Sequence, residues 1–240
     1  MKIIAIIPCR YNSKRFPGKS LALIKKYPMM WHVYHQALKS KYIQKTYIAT
    51  DDKRICKKCK ELNLNFIMTK KTHLNGTDRI AECAKKIYSD IYVNVQGDEP
   101  LIDPKTIDKV VKNLIYNNNK KVLATNAYHI ITNNKDIEDK NVIKTIIDKN
   151  NNALAFSRNA IPFTKNKNHK FYRQIGLYAF TKKGISLFSK LKSSTLEKNE
   201  AVEMYRIIEN SYLVKMIKVD KSSKSVDTKS DLRIIRKLIK

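Results

Sequence analysis

From Lys2 to Pro8 the chain reads Lys-Ile-Ile-Ala-Ile-Ile-Pro, an unbroken apolar run that gives way at Arg10 to a cluster of cations. Apolar at successive positions, it predicts a strand, Ile3–Cys9, covered on both faces, as in a parallel sheet. The period then changes. Pro28 suits the first turn of a helix, and Met29, Met30, Val33, Ala37 and Leu38 follow at helical spacing to about Ser40. Thr46–Thr50 is a strand, and Asp51-Asp52 caps a helix to about Leu62. Asn65–Met68 is a short strand, and Asn75 or Thr77 caps a helix reaching Ile87. Ile91–Val95 is a strand ended by Gln96-Gly97-Asp98, and Pro104 starts a helix to about Tyr116. Strand and helix alternating in this way predict an α/β fold with a mostly parallel, doubly wound sheet.

After residue 120 the pattern changes. Val122–Ile131, Val142–Ile147 and Ala153–Ser157 read as β segments separated by Asn/Lys/Asp loops, among them Asn133–Lys140. Gln174–Phe180 and Leu213–Val219 are further strands, Lys183–Leu191 and Glu197–Asn210 helices, and a last helix runs from Ser230 to the end. Lys165–Lys170 is a loop. The later strands are expected to form a smaller β-rich lobe across one face of the sheet, able to hold a second substrate.

The composition removes several function classes. The 240 residues suffice for one large α/β domain. No long uncharged apolar stretch is present, so no transmembrane helix and no signal peptide are expected. Four cysteines, Cys9, Cys56, Cys59 and Cys83, do not make a disulfide scaffold and suit a reducing cytoplasm. Cys56-Lys57-Lys58-Cys59 has no second Cys or His pair at ligand spacing, which argues against zinc. A net charge of +28 invites a nucleic-acid reading. Only nine of the 49 basic residues are Arg, however, and the lysines are spread over every predicted helix face. No helix-turn-helix, zinc finger or aromatic RNA-binding motif accompanies them. A solvated lysine-rich surface that draws anions toward a cleft is the better account.

The chemistry concentrates in three places. The loop Pro8–Lys19 carries Arg10, Lys14, Arg15 and Lys19, with Pro17-Gly18 to turn it, at the carboxyl end of the first strand, where α/β proteins hold phosphates. Gln96-Gly97-Asp98-Glu99-Pro100 and Ser225-Val226-Asp227-Thr228 supply Asp98 and Asp227, which could share a divalent cation beside that loop. Glycine is scarce, with five in the chain, and Gly18, Gly76 and Gly97 fall in suspected binding loops. Neither G-x-G-x-x-G nor a P-loop is present, since Ser13 stands where the P-loop would need its first Gly. This argues against a dinucleotide dehydrogenase and a P-loop NTPase. Phosphate binding by side-chain cations and loop amides, with metal held by Asp98 and Asp227, suits attack on the α-phosphate of a nucleoside triphosphate.

Six co-linear motifs resemble one family. They are Ile6-Ile7-Pro8-Cys9-Arg10-Tyr11 through Phe16-Pro17-Gly18-Lys19; Ala49-Thr50-Asp51; Gly76-Thr77-Asp78-Arg79; Val93-Asn94-Val95-Gln96-Gly97-Asp98-Glu99-Pro100; Phe156-Ser157-Arg158; and Val226-Asp227-Thr228. Together they resemble the 3-deoxy-manno-octulosonate cytidylyltransferases, the CMP-Kdo synthetases, over the whole chain. The resemblance implies a GT-A-like fold in one domain, with residues 1–120 its nucleotide part, 121–225 its sugar and dimerisation part, and 226–240 a helix returning to the core. It further implies a cytoplasmic homodimer that uses Mg²⁺ and transfers CMP from CTP to the anomeric hydroxyl of an eight-carbon 2-keto sugar acid, for lipopolysaccharide or capsule. By position, Arg10, Arg15 and Lys19 would hold the triphosphate, with Gly76, Arg79 and Gln96 also at the nucleotide. Asp98 and Asp227 would ligate Mg²⁺. Gln96, Arg158, Gln174, Tyr178 and Glu203 would line the sugar-acid pocket, Arg158 offering its fork to a carboxylate. Arg79 has an alternative as a helix-surface cation paired with Asp78 or Glu82. The usual Arg-His-Ile-Gly here reads Arg173-Gln174-Ile175-Gly176, and the usual Glu-Gln-Leu-Arg reads Glu203-Met204-Tyr205-Arg206. These departures fall at the sugar end, which leaves an 8-amino or sialic-acid-like acceptor as the alternative.

Overall fold

The computed structural model describes residues 1–13, 15–166, 168–220 and 224–239. Lys14, one of the loop cations, lies outside the described residues. The elements in chain order are β1 (Ile3–Pro8), β2 (Leu23–Ile24), β3 (Tyr27–Pro28), α1 (Met29–Leu38), β4 (Lys45–Thr50), α2 (Lys53–Glu61), β5 (Phe66–Met68), α3 (Gly76–Lys86), β6 (Ile91–Val95) and α4 (Pro104–Ile115). Then come β7 (Val122–Ile130), α5 (Asn134–Glu138), β8 (Lys144–Ile147), β9 (Ala153–Ser157), β10 (Tyr172–Thr181), α6 (Lys182–Phe188), α7 (Thr195–Glu200), α8 (Tyr205–Ile208), β11 (Leu213–Lys218) and α9 (Lys229–Leu238).

The central sheet has the order β11-β7-β10-β6-β1-β4-β5. Only β10 runs antiparallel to its neighbours along this path. In β1, Ile3, Ala5 and Ile7 pack into one apolar cluster and Ile4 and Ile6 into the other. That two-sided burial is why the run lacks polar alternation. Side-chain caps stand at Asp52 and Asn75, as their sequence positions predicted, and also at Asp103, which the sequence reading did not name. Asp52 accepts the Arg54 N–H, Asn75 the Asp78 N–H and Asp103 the Lys105 N–H.

Three differences from the sequence reading matter. First, β7, β10 and β11 do not stand across one face as a separate lobe. They continue the central sheet, and only β8 and β9 leave its path. Second, the helix expected over Glu197–Asn210 is two short helices. The break is at Ala201, which adopts a left-handed φ of 52°. A straight helix could not turn Glu197 toward Arg206 and also bury Val202, Glu203 and Met204. Third, Asn133–Lys140 contains the one-turn α5, capped by Asn133, and β2–β3 form a small hairpin.

Parallel strands bring their carboxyl ends to one edge. The loops after β1 and β6 therefore meet there. The last helix completes the arrangement. Leu232 and Ile235 of α9 pack with Val226, Phe16, Ile24 and Met29, and the Val226 N–H donates to the Asp98 carbonyl at 2.8 Å. Residues more than a hundred positions apart are thereby fastened side by side.

Candidate active site

Lys19 occupies the junction of the basic loop with both acidic patches. It stands in a 3₁₀ turn, Lys19–Leu21, entered through Gly18 at a left-handed φ of 71°. Glycine is the residue that adopts this φ without strain. The Lys19 ammonium donates to Asp98 Oδ2 at 2.6 Å and to the Val226 carbonyl at 3.2 Å. It lies 3.6 Å from Asp227 Oδ1. Arg15 reaches the same Asp227 oxygen at 2.8 Å through one nitrogen and Asn141 Oδ1 through the other. Two carboxylates thus converge on one positive point, each about a fifth to a quarter exposed. Oxygen-only donors around such a point fit a hard divalent cation such as Mg²⁺. Among the described residues no three His, Cys, Asp or Glu side chains converge, so the protein offers two carboxylates there.

These groups open onto a cleft of about 840 Å³. Arg10, Arg15 and Lys19 form its basic end, beside Gly76, Gln96 and Asp98. Arg158, Gln174, Tyr178 and Glu203 line the same cleft. Close packing holds Gln96 in place, since a Cβ on Gly176 would stand 2.8 Å from Gln96 Cγ. Glu203 is buried under the start of α3 and accepts the Thr77 N–H at 3.1 Å. Burial raises its pKa, and the carboxylates of Asp78 and Glu197 add to the rise. Tyr178 is shifted well above the ordinary tyrosine value by burial and by Glu203, Glu99 and Asp98. It is a neutral hydroxyl at the cleft wall. Gln174 donates to Asn126 Oδ1 at 3.0 Å, and Asn126 in turn donates to the Ile175 and Leu177 carbonyls.

A family model for cytidylyltransferases matches residues 4–221. A 3-deoxy-manno-octulosonate cytidylyltransferase of Solibacter usitatus is 38% identical, over all of this chain and 95% of its own length. One from Fusobacterium nucleatum is 37% identical, over 100% of this chain and 98% of its own. The chain belongs to the 3-deoxy-manno-octulosonate cytidylyltransferase family. A solved CMP:2-keto-3-deoxy-manno-octonic acid synthetase complexed with CTP agrees in fold, with a TM-score of 0.92 at 31% identity, covering 100% of this chain and 98% of that one. A cytidylyltransferase from Leptospira borgpetersenii, 17% identical, shares the fold with a TM-score of 0.64, over 98% of this chain and 85% of its own.

Some residues stand differently in the structure from their sequence reading. Arg79 is not on the helix surface. It is buried, bonded to Thr69 Oγ1 and, at 3.4 Å, to the Lys70 carbonyl, with Asp51 3.4 Å away. Asp78 pairs with Arg206 and Glu82 with His73 and Lys86. The Arg158 guanidinium is engaged with main-chain carbonyls of Glu200 and Lys140, at 2.8 and 2.9 Å. Met204 lies in the core at 0% exposure and is no part of the cleft lining. The substitution at Met204 therefore changes packing beneath the sugar end, and Gln174 is the one of the two that faces it. Sequence reading passed over Asn141 and Arg173, both in the cleft wall, and the Asp78–Arg206–Glu197 cluster behind it. Asp78 and Arg206 both stood inside quoted motifs. Asn141 carried no signal in a chain rich in Asn.

Proposed function

We propose that this chain transfers CMP from CTP to the anomeric hydroxyl of 3-deoxy-manno-octulosonate, forming the phosphodiester at the sugar and releasing pyrophosphate. The observation that carries the reading is the convergence of Asp98 and Asp227 on the Lys19 ammonium beside Arg10 and Arg15. The cations bind and orient the triphosphate and stabilise charge that grows on the leaving pyrophosphate. Asp98 and Asp227 hold Mg²⁺, which when bound supplies charge neutralisation at the triphosphate. Gln96, in the cleft lining, orients the acceptor. Gln174, Tyr178 and Glu203 offer the hydrogen bonds that select its hydroxyls, and the basic wall receives its carboxylate. Tyr178, whose pKa burial holds well above the ordinary value, also serves as a neutral donor there.

The enzyme works as a homodimer in the cytoplasm, where CTP is made; among the described residues no helix is long and apolar enough to cross a membrane. Pyrophosphate release from CTP, measured against a panel of 2-keto sugar acids with and without Mg²⁺, tests the reading. Turnover with 3-deoxy-manno-octulosonate is expected, and Asp98→Asn and Asp227→Asn should each lower it about a hundredfold or more with the fold intact. Near-native turnover in either variant refutes the metal assignment, and no release with any sugar acid refutes the reaction. Gln174 in the cleft favours including an 8-amino acceptor in the panel.

A further inference from the structure

Lys144 is one of the largest fully buried side chains, at 0% exposure, in a protein whose other lysines mostly face water. Its ammonium has three protons and three acceptors, all main-chain. They are the carbonyls of Asp139 at 2.9 Å, Val142 at 2.6 Å and Arg158 at 2.6 Å. Burial pulls its pKa below the ordinary lysine value, and Asp139 and Glu138 oppose that shift. A buried ammonium is tolerated where every proton is received, and here every proton is.

The three carbonyls belong to two segments that wall the cleft. The first, 139–142, carries Asn141, whose side chain accepts from Arg15. Its Lys140 carbonyl receives the Arg158 guanidinium at 2.9 Å. The second is the exit of β9, where Ser157 pairs with Lys144 itself and Arg158 follows. Lys144 also pairs with Arg173 of β10. It therefore sits where β8, β9 and β10 meet, behind Asn141, Arg158 and Arg173, and is itself absent from the lining.

We propose that Lys144 is a positioning residue for the acceptor. Its ammonium clamps the 139–142 segment to the end of β9 and so sets the wall against which the sugar acid is placed. The proposal rests on the acceptor reading above. Its test accordingly has a readout that needs no substrate. Lys144→Met keeps an unbranched side chain, one atom shorter, and removes the charge. In hydrogen-exchange mass spectrometry of the ligand-free protein, peptides covering 139–143 and 157–160 should exchange at least tenfold faster, while those covering β1, β4 and β6 stay as in the unmodified protein. In kinetics, KM for the sugar acid should rise tenfold or more and KM for CTP stay within twofold, because Arg15 keeps its bond to Asp227 at 2.8 Å. Lys144→Arg keeps the charge but offers a planar fork to three carbonyls grouped around a point, so the same split is expected in weaker form. Unchanged local exchange overturns the proposal. So does faster exchange spread over the whole sheet, or an equal loss for both substrates, since either marks Lys144 as general support. If Lys144→Met does not fold cooperatively, an unaltered sugar-acid KM in Lys144→Arg overturns it equally. Loss of all turnover with CTP and sugar acids in the unmodified enzyme would instead refute the acceptor reading, leaving the exchange result to decide the clamp.

Discussion

Arg206 supports the cleft from behind, and removing it should be costly in a way that depends on pH. Its guanidinium donates to Asp78 at 2.6 and 3.1 Å and to Glu197 at 2.9 and 2.6 Å. Its flat face lies 4.3 Å from the Phe188 ring centre. Asn75 adds a bond to Glu197 at 2.9 Å. One cation thus joins the start of α3 to α7 and α8. Arg206 and Glu197 have side-chain exposures of 5% and 7%, whereas Asp78 at 19% can partly rehydrate. Arg206→Met keeps apolar contact with Phe188 and leaves Glu197 buried without its cation. Removing one partner of a buried pair costs about 3–5 kcal/mol. Because Asp78 recovers water, the lower end applies, about 3 kcal/mol. For a chain of this size that corresponds to a fall in Tm of roughly 6–12 °C.

The sign of the pH effect follows from Glu197. Burial pushes its pKa up, and the hydrogen bonds and charge of Arg206 outweigh this and hold it below the ordinary value. A depressed folded-state pKa contributes stability above the unfolded value, lost as pH falls through the folded one. In Arg206→Met the lone carboxyl takes up a proton readily, which removes the buried charge. The stability gap between the two proteins should therefore be widest at pH 7 and narrower at pH 4, below the ordinary value of 4.5. Urea denaturation at both pH values measures it. A gap below about 1 kcal/mol at pH 7, the range of surface ion pairs, refutes the buried-clamp argument. A gap of equal size at both pH values refutes the part assigned to Glu197.

Other expectations are as direct. Burial raises the Glu82 pKa, but bonds from Lys86, the Lys70 N–H and His73 overcome it and hold the carboxyl at about 2. Against an ordinary 4.5, this gives Glu82→Gln a stability loss of at most about 3 kcal/mol, full above pH 4.5 and fading toward pH 2 in a denaturation series. An Ala Cβ at Gly97 would meet the Pro8 carbonyl, which is backbone, at 2.8 Å, and one at Gly176 would meet Cγ of the Gln96 side chain at the same distance. Gly97→Ala should thus lose about 1–3 kcal/mol and Gly176→Ala less, with tenfold or more lost turnover in Gly176→Ala. Met204→Gln should lower stability by about 1–3 kcal/mol through an unpaired buried amide and leave the ranking of sugar acids unchanged. Gln174→His should change that ranking with KM for CTP unaltered, and a shifted CTP KM would count against its place at the sugar end.

What was readable in the chain, and what was not, follows from the range of the forces involved. Strands β1 and β6 announce themselves because two-sided burial demands runs of apolar residues, and caps such as Asp52 and Asn75 act within three residues of where they stand. The phosphate end was legible for a related reason: cations and carboxylates in Gly-containing loops have few other uses. The course of β7, β10 and β11 was not, because which strand pairs with which is decided across the whole chain. The break at Ala201 carried no Gly or Pro; burial of Val202 and Met204 and the Glu197–Arg206 bonds force it against local preference. Lys144 is the instructive case. Among so many lysines its letter looked like solvent, and nothing local distinguishes it. Only three carbonyls supplied by segments up to 14 residues away make its burial tolerable. The same is true of Arg79, read at the nucleotide with a helix-surface alternative, and of Arg206, read in the sugar-end motif; both stand buried. In a chain whose composition is biased toward Lys, a buried cation is thus the residue type whose role depends most on tertiary contacts, and positioning of the acceptor wall rests on one of them.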